Sequence, residues 1–290
     1  MSRPTLVAFV ACHLLTVNAF ADGGDFQVYK LGNPSDGTTG AASNANFRIM
    51  SNQLAAAISS FNGAPPETLG HSGFNVAFEY QVAQIDNNAT YWPTTAPVTP
   101  YLLMPSIHVR KGLGFSVEIG TRVSYLQSTR MAAATVELKW ALNEGFKYFP
   151  DLGVRGYGTH LFGSRDFNLT TAGLDVGLGH QFGIGGMATL TPYAGWNLQF
   201  NACTSSVVDF RPDRPLADAI TDPTADTSVF STVSMANNMN HRIYLGLRFI
   251  SYVFELAVEG SVILQSKDSA TGQIVMPQIF VFGGKVGIDF

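Results

Sequence analysis

Residues 280–290 read Phe-Val-Phe-Gly-Gly-Lys-Val-Gly-Ile-Asp-Phe. A strand points successive side chains to opposite faces. Phe280, Phe282, Gly284, Val286, Ile288 and Phe290 therefore share one face, and Val281, Gly283, Lys285, Gly287 and Asp289 the other. An apolar face is backed by a more polar one. The same period runs upstream to Gly73. Phe74, Val76, Phe78, Tyr80 and Val82 alternate with Asn75, Ala77, Glu79 and Gln81. Leu103, Ile107 and Val109 alternate with Ser106, His108 and Arg110, and Val136, Leu138 and Trp140 with Glu137 and Lys139. Ile243, Leu245, Leu247 and Phe249 oppose Arg242, Tyr244 and Arg248. Ten such segments are expected between Gly73 and Phe290. Each is roughly ten residues long, enough to cross a bilayer as a tilted strand.

The alternating last strand that stops on Phe290 resembles the terminal strand of Gram-negative outer-membrane β-barrel proteins; no subfamily is singled out. The likeness covers about Gly73 to Phe290. It implies an all-β fold, an antiparallel transmembrane β-barrel of about ten strands, with eight to twelve allowed. It also implies export, recognition of the last strand by the barrel-assembly machinery, and a surrounding of outer-membrane lipid and lipopolysaccharide. Phe290, helped by Phe282, Val286 and Ile288, is the assembly signal under that likeness. No solute or ligand follows from it, because a fold hosts many functions.

The amino terminus fits export. Arg3 precedes a largely apolar stretch over residues 6–17, and Ala19-Phe20-Ala21 has the small-x-small form of a signal-peptidase site. Residues 1–21 are read as a signal peptide. A lipoprotein-type cleavage ahead of Cys12 would leave too short an apolar stretch. Cys203 is then the one remaining cysteine, so no internal disulfide is expected. The net charge of −4 offers no basic footprint for nucleic acid. Beyond the signal no apolar run is long enough for a membrane helix.

Connection lengths orient the barrel. Lys111-Gly112, residues 143–151, residues 183–186 and a turn near Ser251 are short. Residues 84–98, 127–131, 163–166, 201–238 and 267–273 alternate with them and include the long ones. Short periplasmic turns and longer outer loops are the outer-membrane arrangement. An even strand number then puts both chain ends on the short-turn side. Phe74, Phe115, Tyr125, Trp140, Phe182, Trp196, Phe200, Phe249, Phe254 and Phe290 fall mainly at strand ends, as two interfacial girdles require.

Glu79, Glu118, Arg122, Glu137, Lys139, Arg155, Asp175, Arg248, Glu255, Glu259 and Lys285 take the inward face. Both signs are nearly balanced, so these residues suit a paired network that stiffens a narrow bore. Residues 22–72 precede the barrel. Residues 22–44 are rich in Gly, Ser, Thr and Asn and read as flexible. Phe47, Met50, Leu54, Ile58 and Phe61 then recur at helical spacing, with Arg48, Asn52, Gln53 and Ser59 elsewhere. This predicts an amphipathic helix over about residues 44–61, capped by Ser43 or Asn44 and ended before Pro65-Pro66. It is expected as a plug or a periplasmic cover.

Asp209, Asp213, Asp218, Asp222 and Asp226 crowd one loop, but their spacing is not that of a calcium-binding EF-hand. Neither a metal nor a cofactor is expected. His241 with Asp209 and His160 with Asp166 are the best catalytic candidates; neither sits in a recognisable motif, and Gly-x-Ser-x-Gly is absent. The chain reads as a non-enzyme: a narrow or plugged passive channel for small solutes. A non-conducting structural or adhesin-like barrel acting through its loops is the alternative, and an outer-membrane hydrolase ranks third.

Overall fold

The computed structural model describes residues 24–59, 61–95, 99–146, 148–214 and 227–290. The expected signal peptide, Asp218, Asp222 and Asp226 lie outside these residues. Helix α1 spans Gly40–Ser59. Ten long strands follow: β1 Phe74–Gln84, β2 Tyr101–Gly112, β3 Val117–Tyr125, β4 Ala132–Asn143 and β5 Asp151–Phe162. The second five are β6 Phe167–Gly179, β7 Ala188–Ser205, β8 Met239–Ser251, β9 Phe254–Ile263 and β10 Ile279–Asp289. Each pairs antiparallel with the next. β10 then pairs with β1, setting Val76 opposite Ile288 and Glu79 opposite Lys285. The sheet closes on itself and keeps no long free edge, whose unpaired amides a membrane could not satisfy.

The two faces are inverted relative to a water-soluble barrel. Outward-facing Ile107, Val136 and Leu245 are 59, 67 and 67 % exposed, whereas inward-facing Glu79 and Arg110 are 0 and 1 % exposed. Apolar atoms left in water on every strand would be costly at ~25 cal/mol per Å². The wall is thus built for hydrocarbon. Aromatic side chains mark its two rims: Tyr101, Tyr125, Phe162 and Phe280 at one, Phe115, Trp140, Phe182, Phe254 and Phe290 at the other, all exposed.

The short links are residues 113–116, 144–150, 180–187 and 252–253, all at one end. The first turn lies later than Lys111-Gly112. Gly112 is still paired, with Glu118, and Leu113 N donates to Val117 O at 2.7 Å. Phe115 and Ser116 turn the chain with φ of 62° and 57°. Leu113 and Phe115, which would open the next strand if Lys111-Gly112 were the turn, belong to the turn. A turn at the membrane surface keeps apolar side chains, so hydrophobicity does not mark where the strand stops.

The segment before β1 departs furthest from expectation. Residues 24–36 are packed rather than flexible. Val28 and Leu31 are buried, and the Phe26 ring lies 5.6 Å from Trp92 and 5.9 Å from Phe167. Gly24 N donates to Ser128 O and Gln27 N to Pro93 O, both in long-loop links. Three apolar side chains in a polar stretch carry no readable period, which is why the sequence suggested flexibility.

α1 starts at Gly40. Asp36 Oδ1 accepts from Thr38 N and Thr39 N at 2.7 and 3.2 Å, and the Thr38 hydroxyl and amide hold its carboxyl below the usual range. Ser43 and Asn44 are not caps. They sit inside the helix and donate back to Thr39 O and Gly40 O. The helix has no solvent face beyond its upper turns either, since every residue from Met50 to Ser59 is buried. The barrel encloses it, and Ala55, Ala56 and Ala57 keep it slim where the wall is close.

Candidate functional site

The residues before β1 thread the bore from end to end. Residues 24–36 lie against the long loops, α1 descends from there, and residues 61–72 continue to the short-turn end. There Phe74 N donates to Phe290 O at 2.6 Å. Both ends of the barrel proper are on the short-turn side, but residues 24–36 are on the opposite one. Of the two expected positions, plug and periplasmic cover, the contacts are those of a plug, and the expectation that the residues ahead of the barrel stay on the short-turn side does not hold for residues 24–36. An even strand count fixes only the ends of the barrel, not a segment passing through it.

In the long-loop half of the bore the contacts are apolar. Phe47, Met50, Leu54 and Ile58 pack in one cluster with Ala83, Leu102, Met104, Leu161, Leu169 and Ile279 of the wall. Phe47 stacks on Phe230 at 4.7 Å. With Val28, Leu31 and Phe61, seven large apolar side chains of the segment are buried. At ~1.5–3 kcal/mol each, their burial contributes on the order of 10–20 kcal/mol toward holding it. Polar groups here are neutral: Asn52 Nδ2 donates to Val275 O at 2.9 Å, and Thr135 and Thr159 share a 2.8 Å bond. At the upper rim Arg48 binds Asp268 at 2.5 Å and Asn238 Oδ1 at 2.7 Å.

In the short-turn half the wall is charged and the segment is extended. A non-helical chain leaves its own amides and carbonyls unpaired, and burying them so costs ~1–3 kcal/mol apiece. Wall side chains meet them one by one. Arg122 Nη1 donates to Phe61 O at 2.8 Å. Glu259 accepts from Asn62 N and Gly63 N at 3.2 and 2.9 Å. Lys139 Nζ donates to Glu67 O at 2.8 Å, and Glu118 accepts from Leu69 N at 3.0 Å. Arg248 pairs with Glu67 at the mouth. Gly283 makes room for the Phe61 ring, which would stand 2.4 Å from a Cβ there.

The wall charges also pair among themselves. Arg155 bridges Glu137 and Asp175 at 2.8 and 2.7 Å, and Lys285 meets Glu255 at 2.7 Å. Lys139 meets Glu118 at 3.0 Å and Arg122 meets Glu79 at 2.6 Å. All eleven residues assigned inward from alternation lie inside and are buried. Three further charged or titratable groups belong with them. His108 sets its two ring nitrogens 2.8 and 3.0 Å from Glu79 and Glu137. Arg110 lies 3.3 Å from Glu118, and Arg242 lies 3.2 Å from Asp175. Alternation had already put all three on the polar face, which is the signal that finds them.

The terminal residues Phe282, Val286, Ile288 and Phe290 all face outward. They stand on the strand that closes the barrel against β1, where the Phe74 and Phe290 rings are 5.2 Å apart. His241 stacks on Trp196 at 5.6 Å, and His160 bonds Thr170 at 2.8 Å. Asp209 receives Arg211 N in a loop. Among the described residues no group of three or more His, Cys, Asp or Glu could hold a metal ion.

Two clefts open at the long-loop end. One, of about 310 Å³, is lined by Asn44, Arg48, Ser231, Asn237, Asp268 and Gln273 among others. The other, of about 190 Å³, is lined by Asp25, Phe26, Gln27, Arg130, Arg165 and Asp166 among others. The threaded segment forms part of both.

No family model and no curated protein matches the sequence. Solved outer-membrane barrels of different roles are similar to it in structure. Ail, the attachment invasion locus protein of Yersinia pestis, shares 10 % identity, with 76 % of this chain and 99 % of that one covered and a TM-score of 0.27. The KdgM porin in complex with oligogalacturonate shares 7 %, covering 74 and 98 %, with a TM-score of 0.31. The outer membrane protease OmpT from Escherichia coli shares 9 %, covering 78 and 98 %, with a TM-score of 0.33. At such scores the fold rests on this chain's own register and inverted faces: a closed, antiparallel, ten-strand β-barrel with an apolar outer wall.

Proposed function

We propose that the chain is an outer-membrane barrel with a closed bore, acting through the surface at its long-loop end. The observation that carries this reading is the threaded segment. α1 is bedded in an apolar cluster, and residues 61–69 are hydrogen-bonded to wall charges along their length. A solute path would have to displace both. Short turns at one end and longer links at the other support a periplasmic short-turn side. The outward residues of the last strand support recognition by the assembly machinery, and the apolar wall supports a setting of lipid and lipopolysaccharide. The two clefts give the outer end concave surface where a ligand could be held.

The second reading is the narrow passive channel, favoured by the mixed charges of the short-turn half. Conductance of the refolded protein in planar bilayers separates the two. The closed-bore reading expects silence from the chain spanning residues 22–290, and discrete steps once residues 22–62 are removed. Steps of the same size from both would overturn it and leave the channel. Hydrolysis has the least support: His241 and His160 both stand on the outward wall, and neither is bonded to its partner from the sequence reading.

A further inference from the structure

We infer that this barrel carries its own amino-terminal segment across the membrane and presents residues 24–39 as part of the outer surface, opposite its carboxyl end. The inference rests on the proposed orientation for the word outer. The threading itself stands on contacts at three heights.

At the long-loop rim Gly24 N reaches Ser128 O, Phe26 and Thr94 form a β-bridge, and Lys30 Nζ donates to Thr94 O at 2.8 Å. Midway, Arg122 and Glu259 hold residues 61–63. At the other rim Thr68 N donates to Glu144 at 2.8 Å, and Gly112 N donates to Gly73 O at 2.9 Å. A 20-residue helix is ~30 Å long, about the thickness of the hydrocarbon core. α1 and the extended residues after it therefore suffice to connect the two faces.

The rim contacts form a built surface. Val28 is fully buried under the long loops, while residues 35–39 are exposed above them. Both clefts at that end lose a wall if the segment leaves. The segment thus has two jobs: it fills the bore, and it supplies residues to the face where the barrel meets its surroundings.

Single-cysteine labelling with a membrane-impermeant maleimide on intact cells tests this. Gly37→Cys places the thiol where no atom lies within 4 Å, and Ser35→Cys gives a second exposed position. Val207→Cys reports the long-loop end and Gly183→Cys the short-turn end. The native Cys203 is buried. Folding of each variant is checked by its heat-dependent shift in gel mobility.

The expected result is labelling of positions 37, 35 and 207 on intact cells, and of position 183 only after the outer membrane is opened. Labelling of 37 and 35 together with 183, and apart from 207, overturns the threading. If 207 is the protected position and 183 the accessible one, the orientation fails; 37 following 207 would still uphold the threading.

Discussion

Around α1 the bore is lined by Ala83, Leu102, Met104, Leu161, Leu169 and Ile279. Around residues 61–69 it is lined by Glu79, Arg122, Glu137, Lys139, Glu259 and Lys285. The same segment passes both, and its own conformation explains the change. A helix satisfies its backbone internally and offers the wall only side chains, so an apolar wall suits it. An extended stretch offers bare amides and carbonyls, so the wall must supply donors and acceptors. Charged groups do so with stronger bonds than neutral ones. Charge in this lumen therefore needs no permeating ion to account for it.

The comparison breaks most readily in the charged half. Arg242 lies 3.2 Å from Asp175 and 3.5 Å from Glu259. Arg242→Met should leave Glu259 buried without its cation and Asp175 with Arg155 alone, and lower stability by ~3–5 kcal/mol. Urea unfolding of the refolded barrel measures it; a loss below ~1 kcal/mol would mean that the network does not hold the segment.

In the apolar half Leu54→Ala should cost ~2–5 kcal/mol through lost burial and a cavity. Since no charge is removed, the loss should be the same at low and high salt. A salt-dependent loss would mean that the two halves are not separate in kind.

The smallest effect belongs to the rim. The Arg48 hydrogen bond holds the Asp268 carboxyl at about 2, below its ordinary 3.8. A depressed carboxyl contributes above its unfolded value and loses that contribution as pH falls through the folded one. Lowering pH from 5 to 2 should then lower the protection of the amides in residues 40–48, read as exchange relative to the intrinsic rate at the same pH. Asp268→Asn should show the lower protection already at pH 5 and little further change. Equal pH response in both proteins would mean that the Arg48–Asp268 pair does not hold the start of α1.

Much of the wall was legible because a strand in a membrane has one strict period. Phe282 and Lys285 can be assigned to opposite faces with no knowledge of their neighbours. Turn positions were less so, as Leu113 and Phe115 show, because apolar side chains continue through a turn at the lipid surface. The plug was half legible. Phe47, Met50, Leu54 and Ile58 announced a helix, yet Asn52, Gln53 and Ser59 looked like a solvent face. Nothing in their spacing says that a closed wall surrounds them.

By itself the sequence determined the alternating strands, a number of about ten and which side chains face lipid, since alternation is a local property of the chain. Only the tertiary structure decided that residues 24–36 lie at the long-loop end, that α1 is enclosed, and that His108, Arg110 and Arg242 reach Glu137, Glu255 and Asp175 on strands beyond their immediate neighbours. Those facts depend on closure of β10 against β1, which turns a list of faces into an inside and commits the segment within it to one path.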